Sequence, residues 1–371
     1  MPEDRLPTDP TSIDADWLNE ALRSSERIGR AGHSGLATGA TVTDVRFDGF
    51  IGTGQMGRNA RYALSWDTPD GRPTSVVGKF PTEDLVGRAS GFAGSYQKEW
   101  TFYRTLASTV DVRAPECFVA MFDEEAQNFV LLMEDLAGSE QGDQMRGLTV
   151  NEAELAVEQA VALHAPRWGD PTLSALSFDD APPKSRGENA VRLHEIYGAC
   201  VEPTLARLHA GLAPDVVELA RQFGPKVGAW TTSSSAPATM VHMDFRPDNF
   251  LFGVTPGAPP LAIVDWQTVA IGPGTHDLAY MIGGSFEPEQ RAAVERGLVE
   301  SYCRQIGARG IDYSFEACWR DYRLSSLWGV IMSVIATMLA TQTERGDFMF
   351  ITMLRRHAAH ARQLGALDLI G

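Results

Sequence analysis

Residues 41–66 alternate apolar and polar side chains with a period of two, TVTDVRFDGFIG and then NARYALSW, the pattern of half-buried strands. The Asp-Gly pair in TPDGRP (68–73) marks a hairpin turn, and SVVGKF (75–80) reads as the next strand. In SYQKEWTFYRTLAS (95–108) the period becomes helical, and Glu99, Phe102, Tyr103 and Leu106 share one face. VRAPECFVAMFDEEAQNFVLLMEDL (112–136) holds two more strands about the polar turn DEEAQ. A helix is also expected over SIDADWLNEAL (12–22), with Ser12 as its N-cap. After the polar loop 137–147, Thr149 and Glu152 form a capping-box pattern ahead of NEAELAVEQAVALHA. From there the chain reads as mainly helical, with one β segment around 240–266. The pattern predicts an α+β fold in two lobes. A β-rich N-lobe (1–133) holds an antiparallel sheet and one main helix, a hinge covers 134–138, and a helical C-lobe covers 139–371.

Composition narrows the class of protein. With 371 residues, 44% hydrophobic and 22% charged, the chain is long enough for two compact cores. A net charge of −16 argues against nucleic acid as partner, because phosphate binding needs a basic face. Cys117, Cys200, Cys303 and Cys318 form no close pair, so reduced thiols in a cytoplasmic protein are expected. The polar, Pro-rich start is unlike a signal peptide. The most apolar run, Leu324 to Ala340, is barely long enough to span a bilayer and holds Ser, Gly and Thr. It is expected to be a core helix, with no membrane insertion. The sequence does not specify an oligomeric state.

Three groups of residues carry chemistry. GTGQMG (52–57) fits G-x-G-x-x-G, yet a strand-like segment follows it. It is either an ordinary hairpin turn or a loop whose amides cover nucleotide phosphates. Lysine occurs only at Lys79, Lys98, Lys184 and Lys226. Lys79 lies in an apolar strand, where it is either an edge gatekeeper or the partner of Glu99. The inward Glu99 needs a cation, which favours the pairing and presents an ammonium to α/β-phosphates, while Lys98 faces solvent. Third, VHMDFRPDN (241–249) sets Asp244 and Asn249 five residues apart, and LAIVDW (261–266) ends near Asp265. If FLF and LAIVD pair as a hairpin, Asn249 faces Asp265 with Asp244 nearby. Such oxygens suit Mg²⁺, and an unligated aspartate can take a proton from a hydroxyl.

VHMDFRPDN followed by IVDWQ resembles the catalytic and metal-binding loops of the aminoglycoside phosphotransferase and choline kinase group, small-molecule kinases of protein-kinase-like fold. GTGQMGRN, VVGKF, EWTFYRTL, LLMEDL, LAVEQAVALHAPRW and GPGTHDLAY resemble further segments of that group in order, over roughly 15–345. VDWQ and DLAYMIGGS are similar to its ecdysteroid-kinase-like branch and, more loosely, to hydroxyacyl-CoA kinase domains. The resemblance implies ATP (GTP is not excluded) and Mg²⁺ as cofactors. It makes Asp244 the catalytic base, with Arg246 near the transferred phosphate, and gives Mg²⁺ to Asn249 and Asp265. Lys79, fixed by Glu99, would hold α/β-phosphates, and Gly52, Gly54 and Gly57 would cover them. Met133, Glu134, Asp135 and Leu136 would contact adenine. His242 would be structural. Asp277 would brace the catalytic loop or cap the next helix, with bracing favoured. Many relatives have glycine where this chain has Met243. Only eleven residues separate Asp265 from Asp277, and no A-P-E segment follows, so the acceptor is expected to be a small-molecule hydroxyl and not a peptide.

The leading expectation is an ATP- and Mg-dependent O-phosphotransferase. The alternatives are a catalytically inactive kinase-fold binding protein and, on the glycines alone, a nicotinamide-dependent oxidoreductase. For the acceptor, an aminoglycoside would want carboxylates such as Glu287, Glu289, Glu295 or Glu300. A hydrophobic alcohol, sterol-like ligand or hydroxyacyl-CoA would want an apolar wall, for which Trp319, Tyr322, Trp328, Met332 and Met338 are candidates, although helical spacing also suits them to the core.

Overall fold

The computed structural model describes residues 6–24, 39–52, 57–69, 71–82, 93–126, 128–176 and 186–371. These divide into two compact units. One takes residues up to Glu140 together with Gly253–Val269, and the other takes 141–176, 186–252 and Ala270–Gly371.

The first unit is built on five antiparallel strands, β1 (Val42–Ile51), β2 (Gly57–Trp66), β3 (Ser75–Pro81), β4 (Cys117–Asp123) and β5 (Asn128–Glu134), in the order β1-β2-β3-β5-β4. β2 starts at Gly57, so the glycine motif leads into a strand, and the dinucleotide-binding alternative loses its required helix. Strand parity divides the side chains between two faces. Val76 and Phe80 of β3 join Tyr62, Val130 and Leu132 in one core, which α1 (Ala15–Ser24) covers through Leu18 and Leu22. Lys79 is offset by one residue and so points to the opposite face. There Tyr96 of α2 (Ala93–Thr101) stacks on Phe129 at 4.6 Å. The N-cap of α1 is Asp14, whose carboxylate accepts Trp17 N–H at 2.8 Å, and not Ser12. Ser12 belongs to a short 3₁₀ turn and spends its hydroxyl on Asp9 C=O.

The expected helix over 95–108 is regular only as far as Thr101. Phe102–Leu106 winds as a π turn and Ala107–Thr109 as 3₁₀. The widened turn coincides with Phe102 stacked on Trp266 at 3.7 Å and with Thr105 Oγ1 donating back to Thr101 C=O. The inward face is as expected, since Glu99, Phe102, Tyr103 and Leu106 are all buried. Lys98 is half-buried rather than fully solvated.

The second unit is mainly helical: α3 (Val150–His164), α4 (Arg186–Leu208), α5 (Pro214–Phe223), α6 (Val227–Ser233), α7 (Thr275–Ser285), α8 (Pro288–Ala308), α9 (Phe315–Ser325), α10 (Trp328–Leu339) and α11 (Glu344–Gln363). The Thr149–Glu152 capping box is present. The apolar run Leu324–Ala340 is two helices and not one. Ser326 Oγ bonds Arg323 C=O at 2.6 Å at the break. Phe315–Leu339 is, among the described residues, the one stretch long and apolar enough to cross a membrane. Of its apolar window 67% is buried inside the protein. Trp328, Val330, Ile331 and Val334 pack there against Trp230, Tyr280 and Leu354. A two-stranded ladder of β6 (Thr239–Val241) and β7 (Ala270–Gly272) carries the chain into and out of the segment that matters most for chemistry.

Candidate active site

In the first unit, the sequence places its one buried lysine on β3 opposite the one buried carboxylate of α2. Lys79 Nζ lies 2.7 Å from Glu99 and 2.9 Å from Asp265. Burial pulls the ammonium down, but Asp265 and Glu99 outweigh it and hold Lys79 above its ordinary value, fully protonated. Burial pushes Glu99 up, against the pull of Lys79. Glu99 also accepts the Trp266 N–H at 3.3 Å, so one carboxylate fixes both the lysine and the segment next to Asp265. Asp265 has a left-handed backbone (φ 67°), and its side chain stays 39% exposed. Gly57 passes directly over this lysine. A Cβ there would meet Phe80 O at 3.0 Å and Lys79 Cε at 3.4 Å, so the strand tolerates only glycine without shifting. Gly52 takes φ 74°, a conformation glycine adopts freely. Gly54 lies outside the described residues.

The segment after β5 is clamped by its own side chains. Glu134 makes a bidentate pair with Arg113 (2.6 and 2.8 Å) and accepts the Glu116 N–H at 3.1 Å. Asp135 is held by Arg61 at 2.8 Å and Ser75 at 2.7 Å. Met133 is buried, and Leu136 C=O accepts the Ser139 N–H. Both acidic side chains are thus bound to protein, and the Glu134 N–H donates to Glu116 C=O at 2.8 Å.

In the second unit, VHMDFRPDN forms an irregular loop braced from below. Asp277 of α7 accepts the His242 N–H at 2.7 Å and the Met243 N–H at 2.8 Å. It also meets His164 at 3.1 Å, which in turn meets Tyr302 OH at 2.9 Å. Burial pushes Asp277 up, but His164 and the loop outweigh it, so the carboxylate lies below its usual range and stays ionised. Its side chain caps nothing on α7, so its place is that of a brace. Met243, where glycine is common among the proteins this loop resembles, adopts φ 69°. Its carbonyl accepts the Trp328 indole N–H at 3.0 Å. Trp328 lies nearly parallel to His276 (5.6 Å, 8°) and Trp230 (6.4 Å, 9°). Burial pushes His276 down to about 4, so this stack carries no charge at neutral pH.

Beyond that peptide stand Asp244, Arg246 and Asn249. Arg246 Nε lies 3.0 Å from Asp244, and its Nη1 pairs with Asp248. Burial pulls this guanidinium down, but Asp244 and Asp248 together raise it. Asn249 Nδ2 donates to Asp244 C=O at 2.8 Å and to its carboxylate at 2.9 Å. The amide oxygen of Asn249 is therefore the end left to accept, which fits a hard cation. No group of three His, Cys, Asp or Glu side chains suited to a metal occurs among the described residues. Mg²⁺ does not require one, since phosphates and waters complete its shell.

A family model described as the phosphotransferase enzyme family matches residues 59–314. The chain belongs to that family. As a phosphotransferase it is a small-molecule kinase, and Lys79, Glu99, Asp244, Asn249, Asp265 and Asp277 all fall within the matched span. No curated protein matches the sequence. Among solved structures, a mutant of aminoglycoside 2'-phosphotransferase-IIIa in its GDP complex aligns at 16% identity with TM-score 0.52. The alignment covers 85% of this chain and 92% of that one. A candidate aminoglycoside phosphotransferase from Ralstonia eutropha JMP134 aligns at 14% with TM-score 0.51, covering 94% and 97%. At such identities the likeness shows the protein-kinase-like fold alone. The brace at His164, the Asp248 partner of Arg246, and the Arg61 and Arg113 clamps escaped the sequence. Only the buried position of His164 on an apolar helix hinted at any of them.

Proposed function

We propose that this phosphotransferase moves the γ-phosphoryl group of ATP, as its Mg²⁺ complex, to a hydroxyl of a small molecule. The reading is carried by one observation above all: a buried, charged Lys79 shared between Glu99 and the half-exposed Asp265. In the proposed reaction Asp244 accepts the hydroxyl proton as the oxygen attacks the γ-phosphorus. The bond to the β,γ-bridging oxygen breaks, giving a phosphate monoester and ADP. Lys79 meets the α/β-phosphates, and Gly52, Gly54 and Gly57 cover them. Asp265 and Asn249 would hold Mg²⁺, which offsets phosphate charge. Arg246, paired to Asp244 in the absence of substrate, would turn to the transferred group. The backbone of Met133–Leu136 would read adenine. The GDP complex of the 2'-phosphotransferase makes GTP the other donor to assay.

The chain keeps Lys79, Asp244 and Asp265, the residues an inactive relative would be expected to lose, which supports an active enzyme over a catalytically inactive binding protein. Three of the four acidic C-lobe candidates are already paired with cationic side chains, while Glu289 is exposed. Glu287 is engaged by Arg355 and Arg356, Glu295 by Arg291 and His360, and Glu300 by Arg296. Of the apolar candidates, Tyr322 and Trp328 belong to the core, while Met338 is exposed. The acceptor is to be found by an ATP-consumption screen across aminoglycosides, choline-like amines, sugars, sterols and hydroxyacyl-CoAs. Asp244→Ala should then abolish transfer while Mg-ATP still raises the melting temperature. Transfer at the wild-type rate by that variant would sink the assignment.

A further inference from the structure

We infer that Trp328 is a positioning residue of the catalytic loop, its indole N–H pinning the carbonyl of the left-handed Met243 peptide from which Asp244 projects. The inference rests on the reading of Asp244 as the base. A non-glycine residue at φ 69° is held against a steric preference for ordinary backbone, so the surroundings must fix the peptide at both ends. Asp277 fixes the N–H side at 2.8 Å, and Trp328 is the partner on the carbonyl side at 3.0 Å.

The direction of that N–H is preset. Trp328 opens α10, is 8% exposed, and lies in the parallel stack with His276 and Trp230. The Trp230 indole is itself tied to Leu324 C=O at 2.7 Å. Filling the core at this position asks only for a large aromatic ring. Holding the carbonyl asks for a donor, which phenylalanine lacks. Without it the peptide can relax toward negative φ and carry the Asp244 carboxylate out of line.

The test is acceptor-independent hydrolysis of Mg-ATP by the full chain, with kcat and KM measured separately. The set is the wild type, Asp244→Ala, Trp328→Phe, Met243→Gly and the Trp328→Phe/Met243→Gly double variant. Trp328→Phe should lower kcat about tenfold, the worth of one hydrogen bond, with KM for ATP within about twofold. Glycine takes the left-handed conformation without steric cost. The double variant should therefore return to within about threefold of Met243→Gly alone, a recovery that lost packing would not produce. An unchanged kcat in Trp328→Phe beside an inactive Asp244→Ala overturns the inference, as does a loss that Met243→Gly leaves in place. Full hydrolysis by Asp244→Ala overturns the reading of the base and this inference with it; where the wild type transfers nothing to water, the same set is compared, with the same outcomes, by phosphate transfer to the acceptor found in the screen.

Discussion

The two halves of the proposed site are held by different physics. Around Lys79 the groups sit on regular elements, β3 and α2, and are locked by charge: one ammonium between two carboxylates at 2.7 and 2.9 Å. Around Asp244 the backbone is irregular: Arg246 pairs with the acidic side chains, but the peptides themselves are held by hydrogen bonds, two N–H groups donating to Asp277 and the Met243 carbonyl accepting from Trp328. The contrast matches the tasks. A phosphate-holding cation must stay charged and desolvated, and its exact bearing matters less. A base must be placed to within a fraction of an ångström, and its loop is fixed at the peptide.

The largest effect is expected where charge is removed. Lys79→Met leaves Glu99 buried without its cation and should destabilise the protein by about 3–5 kcal/mol. It should also cut kcat/KM by roughly 10²–10³ and weaken ATP binding, as loss of a phosphate-stabilising group does. Thermal melting and ATP kinetics read both. The double variant Lys79→Met/Glu99→Leu should regain most of the stability and none of the activity. Recovery of activity with stability would mean that the pair is only structural, and the contrast would fail on its first side.

Next comes the brace. Asp277→Ala leaves the His242 and Met243 N–H groups without their buried acceptor and should cost about 2–4 kcal/mol. Its kinetic signature should differ from that of Lys79: kcat falls while the Kd for Mg-ATP, read by calorimetry, stays near wild type. Loss of nucleotide binding in Asp277→Ala would merge the two halves into a single electrostatic unit.

How much of this was legible depended on which physics did the holding. The helical period of SYQKEWTFYRTLAS turns Glu99 inward. A buried carboxylate demands a cation, and Lys79 was the one lysine in an apolar strand. The catalytic loop was legible as a set of residue types, yet its geometry was not. Nothing in VHMDFRPDN specifies a left-handed peptide at Met243, and the apolar spacing of Trp328 marks it as core without revealing its donor. Likewise Ser12 looked like a cap because sequence ranks side chains and not their competing partners, and Asp14 prevailed. The π turn at Phe102–Leu106 was hidden because a helical period does not distinguish a widened turn from a regular one.

Met243→Gly should have the smallest effect, because three contributions nearly cancel. Relief of the left-handed conformation is worth about 1–2 kcal/mol in favour of the variant. The greater freedom of glycine in the unfolded chain takes back up to about 1 kcal/mol. The Met243 side chain packs, partly buried, against the core cluster of Trp230 and Trp328, and losing that contact removes about another 1–2 kcal/mol. A net loss under about 1 kcal/mol by chemical denaturation is therefore expected. A gain above that would show an uncompensated strain in the loop. A loss of about 3 kcal/mol or more would show that the side chain, and not the two hydrogen bonds on its peptide, holds Asp244 in place.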